Sequence, residues 1–274
     1  MSNIINTNTV ARVTKALQHT ERELTRTYHR ISSGERINYA YDDAAGMAIS
    51  GRMESQIRGL NSSIRNMKDG QFLVSAAEGA MAEVTSLLQR MREISIYSSS
   101  GTTEEADKGY LKIEIDQLIA EIDSMSTNSK FNGRNILDGS QTFTFYQDVD
   151  AAGSTINLGG LDVSASALNV EDSDVDITTN TAISASISKI DEAIKTVDTK
   201  RANLGAVHNR FEHGIDNLSN IVFNTMAAKS SVKDTDMALE TTKLTIGQML
   251  QKSAGSMIVQ ANSKKKNILA LIQQ

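Results

Sequence analysis

The chain contains no proline. At ordinary usage, near 5%, a chain this long would carry about a dozen. A proline inside a helix costs about 3 kcal/mol, through a lost hydrogen bond and a clash with the preceding turn. Its absence leaves the backbone free to form helices of unusual length, and the apolar spacing takes up that freedom.

Val10, Val13, Leu17, Thr20, Leu24, Thr27 and Ile31 follow a 3,4 spacing, an a/d seam over three heptads. Threonine at two seam positions makes it a weak zipper. The helix is expected to stop near "SSG", with Gly34 in the left-handed position past its end. A second helix opens at Asp42 or Asp43. Met53, Ile57, Leu60, Ile64, Met67, Val74, Met81, Leu88 and Met91 carry it to about Tyr97. That is roughly 55 residues, or about 80 Å at 1.5 Å per residue. Thr102 to Glu105 matches a capping box. It opens a third helix, striped by Leu111, Ile115, Leu118, Ile122 and Met125, which forms a hairpin with the second around Gly101.

The period changes at Phe131. "FNGRNILDGS" carries Asn-Gly and Asp-Gly turn signals, "QTFTFYQD" alternates, and Gly153 turns into "STINL". Short hairpins are expected, followed by "EDSDVD" as an acidic, solvated loop. Ile187, Ile190, Ile194, Val197, Leu204, Phe211, Ile215, Leu218 and Val222 restore the 3,4 spacing, interrupted at Arg201 and His208. "SSVKDTD" (230–236) predicts a break. A last helix places Leu239, Ile246, Leu250, Ala254, Met257, Ala261, Ile268 and Leu271 on one stripe, with Lys264 also on it. The fold class is therefore mainly α: a long helical rod or coiled coil, a small central β-hairpin region, and paired N- and C-terminal helices. The terminal stripes lack an evident globular core, so they are expected to be buried by each other or by other copies of the chain.

Aromatic residues make up only 4% of the chain, which suits helices packed side by side better than a compact core. Cysteine is absent, which excludes disulfides and thiolate chemistry. A net charge of −5 gives no support for nucleic-acid binding. The N-terminal segment has no apolar run of the signal-peptide type, and no stretch reaches the ~18 apolar residues of a membrane span. His19, His29, His208 and His213 include no i, i+4 pair. Asp172, Asp174 and Asp176 begin like a calcium loop, but Ile177 and Ile183 stand where that loop needs Gly and Glu. "SKKKN" at 263–267 has fewer basic residues than the usual lipid-binding cluster. No cofactor or metal is expected.

The stretch "ISSGERINYAYDDAAGMAIS", from Ile31 to Ser50, allows two readings. It could be a carboxylate site built on Asp42 and Asp43. It could also be a joint, with Gly34 closing one helix, Asp42 and Asp43 capping the next, and Gly46 among small residues that admit a packed neighbour.

This stretch resembles the N-terminal signature of bacterial flagellins. "FNGRNILDGS" resembles the end of their N-terminal half. "KRANLGAVHNRFEHGIDNLSN" and the segment from Lys233 to Gln274 resemble their C-terminal half. The resemblance covers 1–140 and about 183–274. It implies an extracellular filament subunit with no catalytic role, exported without a cleaved signal peptide by the flagellar type III apparatus, with disordered ends that fold on polymerisation.

The implied division has an inner-tube helix and linker at 1–41 and the first part of the rod at 42–140. A short central hairpin region at 141–182 precedes a rod helix at 183–232 and a second inner-tube helix at 233–274. Val10, Val13, Leu17, Leu24, Ile31, Ile246, Leu250, Met257, Ile268 and Leu271 are the expected inner-tube contacts. Implied partners are other copies of the chain, an export chaperone at the C-terminal segment, and the filament cap and hook-junction proteins. A host Toll-like receptor is implied at a surface of Arg90, Ile94 and Glu114 that also packs along a protofilament. Rival readings are a hook–filament junction protein, a soluble coiled-coil adaptor and, more remotely, an enzyme at Asp42 and Asp43.

Overall fold

The computed structural model describes residues 2–101, 103–147 and 155–272, with side chains from Val10 onward except at 180, 265 and 267–272. The elements run α1 (Ser2–Ser33), α2 (Ala44–Ser98), α3 (Glu105–Asn128), β1 (Lys130–Phe131), β2 (Arg134–Asn135), β3 (Phe143–Tyr146), β4 (Thr155–Leu158), α4 (Asn180–Lys233) and α5 (Met237–Ile272). Helix α2 is 55 residues long and α4 is 54. The chain divides into two compact units, Met1–Ile57 with Phe223–Gln274, and Arg58–Val222.

In the second unit, α2, α3 and α4 share one core. Met67, Met81, Leu88 and Met91 of α2, Ile115 and Ile122 of α3, and Val197, Leu204 and Phe211 of α4 are fully buried in it. These are stripe positions in each helix, so the 3.6-residue period alone directs them inward. Gly70 lets the Phe211 ring lie against α2: a Cβ there would stand 2.6 Å from Phe211 Cζ.

The hairpins complete the core. β1 and β2 pair antiparallel across Asn132 and Gly133, both at positive φ as a type I′ turn requires. β3 and β4 pair with Phe143 opposite Leu158 and Phe145 opposite Ile156. Phe145 meets Phe211 edge-on at 5.3 Å.

Residues 159–179 are not simply a solvated loop. Leu161, Val163, Leu168, Val170, Val175 and Ile177 are buried in the same core. The acidic run is held by partners: Asp172 pairs with Lys112, and Asp174 accepts from Lys189 at 2.7 Å. Asp176 donates its amide to Ser186 Oγ at 2.9 Å. These contacts tie an apolar cover to α3 and α4.

Two boundaries differ from expectation. Helix α3 begins at Glu105, with Glu104 at the N-cap and no side-chain cap hydrogen bond. Thr102 of the expected capping box lies outside the described residues. The Thr103 hydroxyl instead donates back to the Tyr97 carbonyl at 3.2 Å, closing the turn of the hairpin. At the other break, α4 continues through Ser230 and Ser231 to Lys233, and only Asp234, Thr235 and Asp236 separate it from α5. Asp236 sets the restart, its Oδ1 accepting the amides of Ala238 and Leu239 at 2.9 and 3.1 Å.

Candidate assembly surfaces

The first unit is organised by two joints that lie side by side. Gly34 has φ +72° and donates its amide to the Arg30 carbonyl at 2.9 Å, ending α1 in the left-handed region that glycine tolerates. The chain then crosses the α4–α5 break. The Arg36 amide donates to the Lys233 carbonyl at 2.6 Å, and the Thr235 amide to the Gly34 carbonyl at 3.0 Å. Lys233 and Glu35 form an ion pair at 2.7 Å.

Asp42 and Asp43 divide the work assigned to them jointly. Asp43 caps α2, its Oδ1 accepting the Gly46 amide at 2.9 Å. Asp42 faces backward and accepts the amides of Asn38 and Tyr39 at 3.3 and 3.1 Å, so it closes the linker and does not cap the rod. A Cβ at Gly46 would lie 2.6 Å from Ile37 Cδ1. The neighbour Gly46 admits is thus the chain's own linker residue, itself buried. This stretch is a joint, and its two aspartates are occupied by backbone amides.

Beyond the joints, α1 and α5 pack antiparallel along their lengths. All seven seam positions of α1 from Val10 to Ile31 are buried or half-buried, with Leu24 and Thr27 the most enclosed. The opposing face of α5 carries Glu240, Leu244, Gly247, Ala254, Ile258 and Ala261, all buried or half-buried. Gly247 receives Leu24: a Cβ at 247 would stand 2.7 Å from Leu24 Cδ2. Arg30 in the last turn of α1 reaches Glu240 near the start of α5 at 3.4 Å, each charge opposing the dipole of its own helix.

This face shares Ala254 and Ala261 with the stripe expected from the sequence, but not its large residues. Leu239, Ile246, Leu250 and Met257 remain 51–60% exposed, about a quarter turn around the helix from the α1 seam. They border the α1–α5 groove rather than fill it. Ile246 and Leu250 line one stretch with Leu24 and Thr27, and Met257 lines another with Val10, Val13 and Lys264. The side chains of Ile268 and Leu271 lie outside the described residues. Met249 and Val259 are exposed on other sides, so α5 presents large apolar side chains to solvent beyond its α1 seam. Exposed apolar side chains in such number mark an interaction surface. The seam does leave a further trace in the sequence: Gly247, Ala254 and Ala261 recur every seven residues, marked by small size rather than by hydrophobicity.

In the second unit, Arg90 and Glu114 bridge α2 and α3 on the exposed surface. Arg90 Nε and Nη2 both donate to Glu114 Oε1, at 3.0 and 2.7 Å. The hydrogen bond donated to Glu114 holds the guanidinium pKa above its ordinary value. Ile94 does not share this surface. It is 2% exposed and packs inward with Met91, because it falls on the core stripe of α2. Among the described residues, no three His, Cys, Asp or Glu side chains converge as a metal site, and no helix is long and apolar enough to cross a membrane.

The comparisons agree with this geometry. Residues 5–142 match the bacterial flagellin N-terminal helical region, and residues 187–272 match the bacterial flagellin C-terminal helical region. The flagellin of Halalkalibacterium halodurans is 41% identical over 244 residues, spanning 89% of this chain and 90% of that one. The flagellin of Bacillus subtilis is 37% identical, spanning 89% of this chain and 91% of that one. Flagellin FlaB2 of Treponema pallidum is 33% identical, over 98% of this chain and all of that one. The crystal structure of Bacillus cereus flagellin superposes with a TM-score of 0.50 at 26% identity, covering 56% of this chain and 88% of that one. The chain belongs to the bacterial flagellin family.

Proposed function

We propose that this chain is the structural, self-assembling subunit of a bacterial flagellar filament, an extracellular polymer that supports motility, and that it performs no catalysis. The observation that carries this reading is the apolar surface left on α5 after α1 has taken its seam. Leu239, Ile246, Leu250 and Met257, with Met249 on another side, are left more than half exposed among the described residues. Fully burying one such side chain is worth about 1.5–3 kcal/mol. A repeated neighbour would recover that energy at every subunit and offset the cost of ordering the terminal helices.

The same reading assigns roles along the chain. Residues 1–41 and 233–274 form the inner tube. The helices of 42–140 and 183–232 form the rod, and 141–182 its small hairpin region. The ends cross the flagellar export channel unfolded, without a cleaved signal peptide, and fold at the filament tip. A chaperone masks the C-terminal segment before export, and the cap and hook-junction proteins meet the ends of the polymer. The exposed Arg90–Glu114 pair is the surface a host Toll-like receptor would read, without Ile94.

Deleting residues 1–35 or 240–274 tests the reading. The expected product is a soluble rod that does not polymerise; filaments from either truncation would overturn it. Abundance in sheared filaments separates a filament subunit from a hook-junction protein, which assembles in few copies.

A further inference from the structure

The second unit carries two exposed surfaces that combine large rings with charge of opposite sign. The first lies on α2. Phe72 is 64% exposed, because it falls away from the buried stripe of Met67, Val74 and Met81. Lys68 and Arg65, one and two turns before it, share its side of the helix, and Arg58 continues the row. Asp69 is exposed beside them, which leaves the face basic overall.

The second is the tip of the α2–α3 hairpin. Tyr97 stands two turns beyond Arg90 on α2, and Tyr110 one turn before Glu114 on α3. Both rings therefore flank the seam that the Arg90–Glu114 bridge closes. They are 65% and 73% exposed, with Ile113 exposed nearby. Glu104, Glu105 and Asp107 are exposed at the same tip, against Lys108. The tip is aromatic and acidic where the Phe72 face is aromatic and basic. Arg65, Lys68, Glu104, Glu105 and Asp107 form no ion pair among the described residues.

The chain cannot bring these two surfaces together by itself. Both sit on the continuous helix α2 or its hairpin, and Tyr97 is roughly 37 Å along that helix from Phe72 at 1.5 Å per residue. A second copy can bring its own tip to the Phe72 face. Two different surfaces displaced along one rod make a head-to-tail contact, which builds an open polymer when it does not close into a ring. A lone exposed ring needs no partner, but rings set among arginine and complementary charge have the composition of an interface centre.

We propose that the hairpin tip of one copy docks on the Phe72 face of the next, with Tyr97 and Tyr110 against the Phe72 ring and the acidic tip against Arg65 and Lys68. The proposal rests on the filament reading above and names the rod contact within it. Edge-to-face rings and a guanidinium over a tyrosine ring supply the attraction. The opposed charges decide which end of one copy meets which end of the next.

The wild-type chain has no cysteine, so the contact can be tested by thiol crosslinking in full-length filaments. Phe72→Cys combined with Tyr110→Cys, treated with a short bis-maleimide, should give a ladder of covalent oligomers. Each single variant should give none, and neither should Phe72→Cys combined with Thr199→Cys, at an exposed position on α4. Arg65→Glu with Lys68→Glu should raise the critical concentration for polymerisation about tenfold, and adding Glu104→Lys with Glu105→Lys should restore most of the loss. All these positions are exposed in the monomer, so each variant should keep the wild-type helical content. Filaments that give no ladder, a ladder equal to that of the Thr199→Cys pair, or charge reversal without effect or without rescue would overturn the proposal and leave the filament reading intact. Failure of the wild-type chain to form filaments would overturn the filament reading itself, and the proposal with it.

Discussion

Leu24 rests directly on the backbone of α5 at Gly247, where even a Cβ would come within 2.7 Å of its Cδ2. Leu24 is itself buried and has little room to move aside. Gly247→Val should therefore cost about 1–3 kcal/mol through overpacking, despite valine's better helix propensity than glycine. The loss should appear as a lower melting temperature of assembled filaments. Filaments that melt like wild type would mean that α1 and α5 are not in this register when assembled.

Two glycines of α2 make an opposed pair. A Cβ at Gly79 meets nothing within 4 Å, whereas one at Gly70 would run into the Phe211 ring. Gly79→Ala should stabilise the chain by about 0.5–1 kcal/mol, the ordinary helix-propensity gain. Gly70→Ala should destabilise it by about 1–3 kcal/mol, because Phe211 is fully buried and must shift. Urea denaturation of the two variants reads both signs, and equal shifts would contradict the assigned packing.

The cover at 159–179 should be sensitive to acid. Asp172 is held below the usual carboxylate value of 3.8 chiefly by its hydrogen bond from Lys112, and Asp174 by its hydrogen bond from Lys189. Asp176 is lowered chiefly by the Thr178 amide. Groups lowered in the folded state contribute fully above the unfolded value and lose that contribution as pH falls through the folded value. The cover should thus hold at pH 5 and loosen below about 3.8. Hydrogen exchange at the Val170 and Val175 amides, corrected for intrinsic rates, should show the loosening. Equal protection at pH 5 and pH 3 would contradict it.

Much of this architecture is legible in the sequence. The 55 residues of α2 can be read directly, because a stripe of Ile, Leu and Met keeps one period and no proline interrupts it. The hairpins are legible for a similar reason: Asn132-Gly133 permits few backbone shapes. The α5 seam is only partly legible from hydrophobicity, since Ala254 and Ala261 fall on the expected stripe but the large apolar residues of that stripe lie beside the contact, and Gly247 marks the seam by small size alone. The separate duties of Asp42 and Asp43 were hidden too, because both suit a helix start and only the path of the linker distinguishes them. Ile94 shows the limit of reasoning from resemblance: a place in a motif does not reveal whether a side chain points in or out.

Arg90 and Glu114 supply a test of the receptor surface. Both are exposed, so breaking the pair should cost no more than about 1 kcal/mol of stability. Arg90→Ala monomer should fold normally yet fail to activate a Toll-like receptor reporter. Activation equal to wild type would remove this surface from the proposed functions.

The central claim is that the exposed α5 face exists to be covered by other copies of the chain. Negative-stain electron microscopy of the purified full-length protein after salting-out tests it most directly. The account predicts long filaments of uniform width. Monomers that stay dispersed with stably helical ends, or shapeless aggregates alone, would contradict it.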